Sequence, residues 1–336
     1  HGAAVRSVSL ERALVRSREQ LAYDTVQADL DAGRGHPLML LLQEVGDKRG
    51  RIEIERGGAS LGSPEQEVDV DGEHVRLIWR TQQPIEQANA QMSLMTGMAA
   101  AQIMIDGGTG ILRTLPPASD EAIRTFRRQA AALREPWPES MPYGEFLRTL
   151  DWSKGRHLAL LNQATKLFRG AGYEAFSEGR VPDEHTQAAL AAPYAHTTAP
   201  LRRLVDRFSL AICHALVNNE PVDPALLAAL PSVPSLMGSA QSRNSQIERA
   251  AKAIVESEVL STLVGEELVG TIVGRKEARE SHDGQPSAPA RINVQFSEPP
   301  IAQWIDLTET DDHLDIGTKV AARVESIDPD LSLIHI

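Results

Sequence analysis

Residues 194–207 read Tyr-Ala-His-Thr-Thr-Ala-Pro-Leu-Arg-Arg-Leu-Val-Asp-Arg, and this stretch decides how the rest of the chain is read. Pro200 suits the first position of a helix, where its fixed φ fits and its missing N–H costs nothing. The backbone N–H groups just beyond it then have no partner inside the helix and point outwards, which makes an anion site. On this reading Arg202 and Arg203 fall in the first turn. Basic side chains are unfavourable at that end of the helix dipole unless an anion is bound. Leu201, Leu204, Val205, Phe208 and Ile212 supply the buried face of a helix predicted to reach Val217. Asp206 follows Arg202 by four residues and Arg203 by three, so its carboxylate can hold either guanidinium. His196, Thr197 and Thr198 add donors on the incoming loop. Donors of this kind feeding a guanidinium fork suit a phosphodiester. An exposed, salt-bridged helix start fits the same residues, and the residues alone leave both readings open.

Towards the N-terminus, the segment 182–192 is predicted to be a short Ala-rich helix, and 157–168 another that stops at Gly170. Ser119 caps an amphipathic helix running to Leu133, which Pro136 and Pro138 end. Pro84 opens a long helix to about Ile105, apolar around most of its circumference and therefore buried, with Gly107-Gly108 as its stop. Residues 51–54 and 74–79 alternate with period two and predict strands, the second entered through an Asp71-Gly72 turn. The stretch 5–35 reads as a strand followed by a helix carrying Tyr23, Val26 and Leu30. Towards the C-terminus, Asp223 caps a short helix with Pro224 in its first turn, and a long helix covers 240–262. Beyond Gly265 the chain changes to short alternating strands over 267–274, 290–296 and 319–327, with a polar loop over 280–289.

The fold class is therefore α+β. A mixed sheet with packed helices over 1–264 is followed by a small β-barrel of OB type over 265–336. With 336 residues, two domains are expected. Thirty-four basic against 46 acidic side chains give a net charge of −12, so a polyanion would have to meet a local basic strip and not the whole surface. No apolar run approaches the ~18 residues of a membrane span, and no membrane partner is expected. The single cysteine, Cys213, excludes an internal disulfide or a Cys-rich zinc site and fits a reducing, cytoplasmic setting. It is expected to be buried and inert.

The 194–208 stretch, Tyr-Ala-His-Thr-Thr-Ala-Pro-Leu-Arg-Arg-Leu-Val-Asp-Arg-Phe, resembles the signature of the RNase II/RNB family of exoribonucleases, Tyr-x-His-Phe-Thr-Ser-Pro-Ile-Arg-Arg-Tyr-x-Asp. Further segments resemble the family in the same order. These are 88–101 with its Ala-Asn pair, 110–119 with Arg113 and its prolines, 167–176 and 185–196. Thr197, Ala199 and Leu204 stand where the family has Phe, Ser and Tyr, which removes two hydroxyls, and the pattern resembles an actinobacterial or Deinococcus-like branch. The resemblance implies 3′-to-5′ hydrolysis of single-stranded RNA to nucleoside monophosphates by a cytoplasmic monomer, with neither DNA nor membrane as partner. It makes Arg202 the catalytic arginine that stabilises the scissile phosphate, with Asp206 supporting it. Tyr194, His196, Thr198, Arg203 and Arg113 become contacts to RNA, and Glu256 stands where the family has a glutamate near the terminal nucleotide.

The resemblance also implies Mg²⁺ held by a loop of aspartates, and this sequence has no such loop. Asp69 and Asp71 read as a hairpin tip, and Asp306, Asp311, Asp312 and Asp315 as a solvated acidic run. The ligands are therefore expected upstream of residue 1, with none in this chain. The sequence is expected to be the C-terminal part of a longer protein, poorly active alone, whose last six residues are foreign to the native frame. Two other functions fit: a non-catalytic RNA-binding member of the same family, and a metabolic enzyme that uses 196–203 to hold a phosphorylated small molecule.

Overall fold

Helix α3 (Pro84–Asp106) opens on Pro84 and closes at Gly107. It belongs to the first of two units in the computed structural model, which describes residues 2–62, 64–72, 74–278, 289–307, 314–328 and 333–335. That unit comprises 1–59, 82–118 and 168–242; the second comprises 60–81, 119–167 and 243–336. The chain is α+β throughout.

In the first unit, α1 (Tyr23–Asp31) and α2 (Pro37–Glu55) precede α3. No strand forms over residues 5–20, and the alternating residues 51–54 are helical, not extended. Period two is satisfied by chance there. Along α2, Arg49 and Glu53 are one turn apart on the buried side, and the Glu53 carboxylate accepts from Gln91 Nε2 on α3 at 2.7 Å. Pro37 in the first turn and a His36 Nδ1 that accepts from Leu38 N at 3.1 Å start this helix.

Strand β3 (Gly110–Thr114) pairs antiparallel with β4 (Gly172–Phe176), setting Arg113 opposite Tyr173. The segment 182–192 is not a helix. It forms a small hairpin of β5 (Thr186–Gln187) and β6 (Ala192–Pro193), with Leu190 N bonded back to Gln187. Helix α7 (Leu204–Val217) follows, then α8 (Pro224–Ala229), which Asp223 caps through Ala225 N at 2.8 Å. Ala101, Met104, Ile111, Leu112, Val205 and Ile212 are all but fully buried and join α3, β3 and α7 into one core.

Helix α7 departs from the sequence expectation in its start and in its buried face. The helix begins at Leu204, four residues after Pro200, so Arg202 lies outside it and Arg203 is its N-cap. Pro200 instead occupies the second position of a turn closed by Arg202 N to Ala199 O at 3.2 Å, for which its φ is equally suited. Leu201 is fully exposed and Leu204 is also exposed, so neither belongs to the buried face, which Val205, Ser209 and Ile212 form.

The second unit contains the hairpin β1 (Glu65–Asp71) and β2 (His74–Arg80), whose Asp71↔His74 pairing puts Gly72 at the tip with a positive φ of 63°. It also holds α4 (Asp120–Ala132), α5 (Tyr143–Arg148) and α6 (Gly155–Ala164). The Ser119 hydroxyl caps α4 through Ala122 N. Helix α9 (Val233–Ser261) starts well before residue 240 and contributes to both units. Four antiparallel strands follow in the order β10-β7-β8-β9: β7 (Glu267–Lys276), β8 (Arg291–Phe296), β9 (Ala302–Asp306) and β10 (Lys319–Arg323). This sheet is compatible with a small OB-like domain, and β9 escaped the sequence reading. Ile272, Val294, Phe296 and Val324 form its core with Leu260 of α9. A short pair, β11 (Ser326–Asp328) and β12 (Leu333–His335), takes up part of the final apolar run. Residues 280–288 of the predicted polar loop, with Asp311 and Asp312, lie outside the described residues.

Candidate functional site

The loop that opens at Tyr194 is fixed from two sides by main-chain bonds. Arg113 N of β3 donates to Tyr194 O at 2.8 Å, and Ala195 N donates to Gly97 O of α3 at 3.1 Å. The loop comes so close to α3 that a Cβ on Gly97 would stand 2.2 Å from Tyr194 Cε2 and 2.5 Å from Ala195 O. Gly97→Ala normally gains about 1 kcal/mol of helix propensity. Here the clash with backbone outweighs it, and a net loss of ~2 kcal/mol is expected in urea denaturation. A stabilised variant would show that the loop does not press on α3.

Between Tyr194 and Asp206 the loop gathers most of the residues singled out in the sequence. The Tyr173 hydroxyl lies 2.7 Å from His196 Nδ1, and the Tyr194 ring meets the imidazole edge-on, with centroids 5.4 Å apart. The Arg113 guanidinium lies 4.7 Å over the Tyr173 ring and donates to Gly172 O at 3.3 Å. Thr198 and Ser93 of α3 share a hydroxyl hydrogen bond of 2.7 Å. Asp206, with no exposed surface, accepts through Oδ1 from Ala199 N at 2.7 Å and from Arg203 Nη2 at 2.8 Å. One carboxylate in the first turn of α7 thus ties down both the turn and the arginine before it. Three atoms of the cluster are buried without a hydrogen-bond partner among the described residues: Arg203 Nε, Thr197 Oγ1 and Asp206 Oδ2.

The two arginines of the signature are differently placed. Arg203 is largely covered and held by Asp206, whereas Arg202 is exposed and no partner among the described residues holds its guanidinium. Burial first, then the charges of Arg203 and Arg113, push His196 down to about 4 from its ordinary 6.5; Asp206 opposes this and Arg202 adds to it. Burial likewise raises the hydroxyls of Tyr173 and Tyr194. The cluster therefore presents neutral donors and three guanidinium groups against one carboxylate, an arrangement that receives an anion.

A folded-state value below the unfolded one means that His196 contributes stability above pH 6.5, and that this is lost as pH falls towards 4. Allowing for the ring's partial exposure, a loss on the order of 1–2 kcal/mol is expected across that window. Urea midpoints measured at both ends for the native chain and for His196→Gln check it. The same fall with pH in both proteins would remove His196 as the cause.

Glu256 is not among these side chains. It lies in the second unit, buried, where its Oε1 accepts from Gln66 Nε2 at 3.1 Å with Lys252 Nζ at 3.5 Å. Tyr173 and Ser93, which hold two of the loop residues, were not singled out from the sequence. Tyr173 is legible only once β4 is known to pair with β3 opposite Arg113. Cys213 is buried, and burial raises its thiol to about 12, so it is unreactive.

The described residues do not fit magnesium. Among the described residues no three His, Cys, Asp or Glu side chains converge so as to hold a metal ion. Asp69 is paired with Arg76 at 2.8 Å, and Asp306 with Arg291. No helix of the described residues is long and apolar enough to cross a membrane.

Residues 1–219 match the family described as the RNB domain. No curated protein matches the chain. Among solved structures, the apo form of RNase R from Mycoplasma genitalium superposes with a TM-score of 0.78 at 15% identity, covering 93% of this chain and 52% of that one. The same RNase R has been solved with ribose-methylated single-stranded RNA and matches with a TM-score of 0.77. An active-site mutant of the Dss1 exoribonuclease from Candida glabrata matches at 0.67 and 14% identity, over 94% of this chain and 38% of that one. Yeast Ssd1, a pseudonuclease, matches at 0.59 and 16% identity, over 85% and 35%. At such identities the likeness is one of fold, and the chain spans about half the length of RNase R or less of the others.

Proposed function

This chain belongs to the RNB family, and on that premise we propose that it is the RNA-holding part of a 3′-to-5′ exoribonuclease acting on single-stranded RNA. The observation that carries the reading is the cluster on 194–206, where Arg113, Arg202 and Arg203 bear on a neutral His196 with Asp206 as the only opposing carboxylate among the groups acting on that ring. A phosphodiester supplies the negative oxygens such a cluster lacks.

In this reading the held guanidinium of Arg203 and the stacked guanidinium of Arg113 grip backbone phosphates. Tyr194 and His196 shape the seat, with Thr198 at its rim. Arg202, exposed and unheld, is the catalytic arginine, free to close on the scissile phosphate and to neutralise charge as it builds in the transition state. Hydrolysis in the family is metal-assisted. Since the described residues bring no three such ligands together, no step here runs through the ion. The strands over 265–336 are proposed to grip RNA as an OB-type domain, and Glu256 to act near the terminal nucleotide. A cytoplasmic monomer with no DNA partner completes the reading.

A second reading, RNA binding without turnover, is favoured by the absence of a three-ligand cluster among the described residues and by the fold-level match to a pseudonuclease. Filter binding of labelled single-stranded RNA against sugar phosphates tests the common core of both. Retention of RNA alone is the expected result. Tight binding of a sugar phosphate with no retention of RNA would make the protein a metabolic enzyme instead.

A further inference from the structure

Tyr173 joins two parts of the cluster that lie far apart in the sequence and meet only through folding: it lies under Arg113 on β3 and touches His196 on the loop. The charged and titratable groups facing His196 are Arg113 from β3, Tyr173 from β4, Tyr194 beside it on the loop, Arg202 and Arg203 from the turn, and Asp206 from α7. A neutral imidazole carries one proton, and which nitrogen bears it is set by the partner of the other. Among the described residues the Tyr173 hydroxyl has His196 Nδ1 as its partner and no second acceptor for its proton. If the ring placed its own proton on Nδ1, the half-buried phenol proton would have no acceptor, at the cost of an unsatisfied group. With the phenol donating, the ring proton sits on Nε2, for which no partner exists among the described residues.

We propose that Tyr173 is a positioning residue that gives its hydroxyl hydrogen bond to His196 Nδ1, fixes the imidazole as the neutral Nε2–H tautomer, and so makes it a hydrogen-bond donor to a phosphate oxygen of RNA. The tautomer stands on the Tyr173–His196 contact together with the neutrality that burial gives the ring; the RNA oxygen as its acceptor rests on the function proposed above. In this role His196 recognises phosphate as a donor and takes no proton from the substrate. Tyr173→Phe removes the device while keeping the ring under Arg113.

Nitrogen-15 shifts of His196 in the histidine-labelled full chain, without RNA, test the tautomer. An unprotonated Nδ1 and a protonated Nε2 are expected, unchanged between about pH 5.5 and 8. In Tyr173→Phe the two tautomers should mix. Binding of a single-stranded RNA oligomer should weaken about tenfold in that variant. In the Tyr173→Phe background, His196→Gln should recover most of the loss, because an amide N–H in place of Nε2–H needs no tautomer to be chosen for it. A ring protonated on Nδ1 in the native chain would overturn the proposal, as would a double variant no better than Tyr173→Phe. If the tautomer is as stated but the native chain binds no RNA, the RNA reading fails and the donor role to phosphate fails with it.

Discussion

Asp206→Ala is expected to destabilise the first unit by about 3 kcal/mol, measured as a shift of the urea midpoint at unchanged slope. The carboxylate has no exposed surface and serves two donors at once, Ala199 N and Arg203 Nη2. Removing it leaves a mostly covered guanidinium without its counter-charge and a backbone N–H without its acceptor. Breaking a buried pair from one side typically costs about 3–5 kcal/mol, and an orphaned N–H about 1–3 more. Arg203 retains some contact with water, which keeps the total near the lower figure. Asp206→Asn separates the two contributions, since an amide oxygen can still accept from Ala199 N. It should cost roughly half as much. A loss below about 1 kcal/mol for the alanine variant would mean that the turn from Ala199 to Arg203 does not depend on this carboxylate.

Arg202→Ala is expected to leave folding unchanged and to lower the rate of RNA hydrolysis by about 10²–10³ in a version of the protein that turns RNA over, with RNA affinity altered only a few-fold. The side chain is exposed and held by no partner among the described residues, so its loss removes no contact from the folded state. A group free in the ground state that meets charge only as it develops raises kcat without adding to ground-state binding, so its removal lowers kcat and spares affinity. Single-turnover rates and equilibrium binding on the same oligomer distinguish this from a simple grip. Equal losses in rate and affinity would make Arg202 one more binding arginine and leave the catalytic role unfilled.

What could be read from the sequence, and what could not, follows from the range of the interactions involved. Local chemistry was legible. Asp71-Gly72 makes its hairpin, Ser119 and Asp223 cap their helices through their own side chains, and Pro84 begins α3. Where two local solutions share one signal, the signal alone cannot separate them. Pro200 fits a helix start and a turn equally, and Asp206 reaching back seven residues to Ala199 N decides for the turn. Residues 51–54 alternate, yet they lie on a helix whose polar residues Arg49 and Glu53 face inwards, a pattern period two cannot reveal. Of the site, the signature brought His196, Arg202, Arg203 and Asp206 together in one short stretch. Arg113 joins them through the β3–β4 pairing, and Tyr173 is invisible without it. Glu256, carried over by resemblance, is bound to Gln66 and Lys252 in the second unit, and the Gln66 contact spans 190 residues, which no spacing rule supplies.

The claim on which all of this depends is that the guanidinium groups around His196 receive the backbone of single-stranded RNA. Its most direct test is the salt dependence of RNA binding by the native chain and by Arg113→Gln/Arg203→Gln, the latter shown to keep native circular dichroism. For single strands each phosphate contact contributes about −0.7 to the slope of log K against log salt. The native chain should therefore show a slope at least about 1.4 in magnitude for the contacts of Arg113 and Arg203, and the double variant should lose about that much of it along with roughly a hundredfold in affinity. Identical slopes and affinities in the two proteins would place the RNA elsewhere and contradict the account.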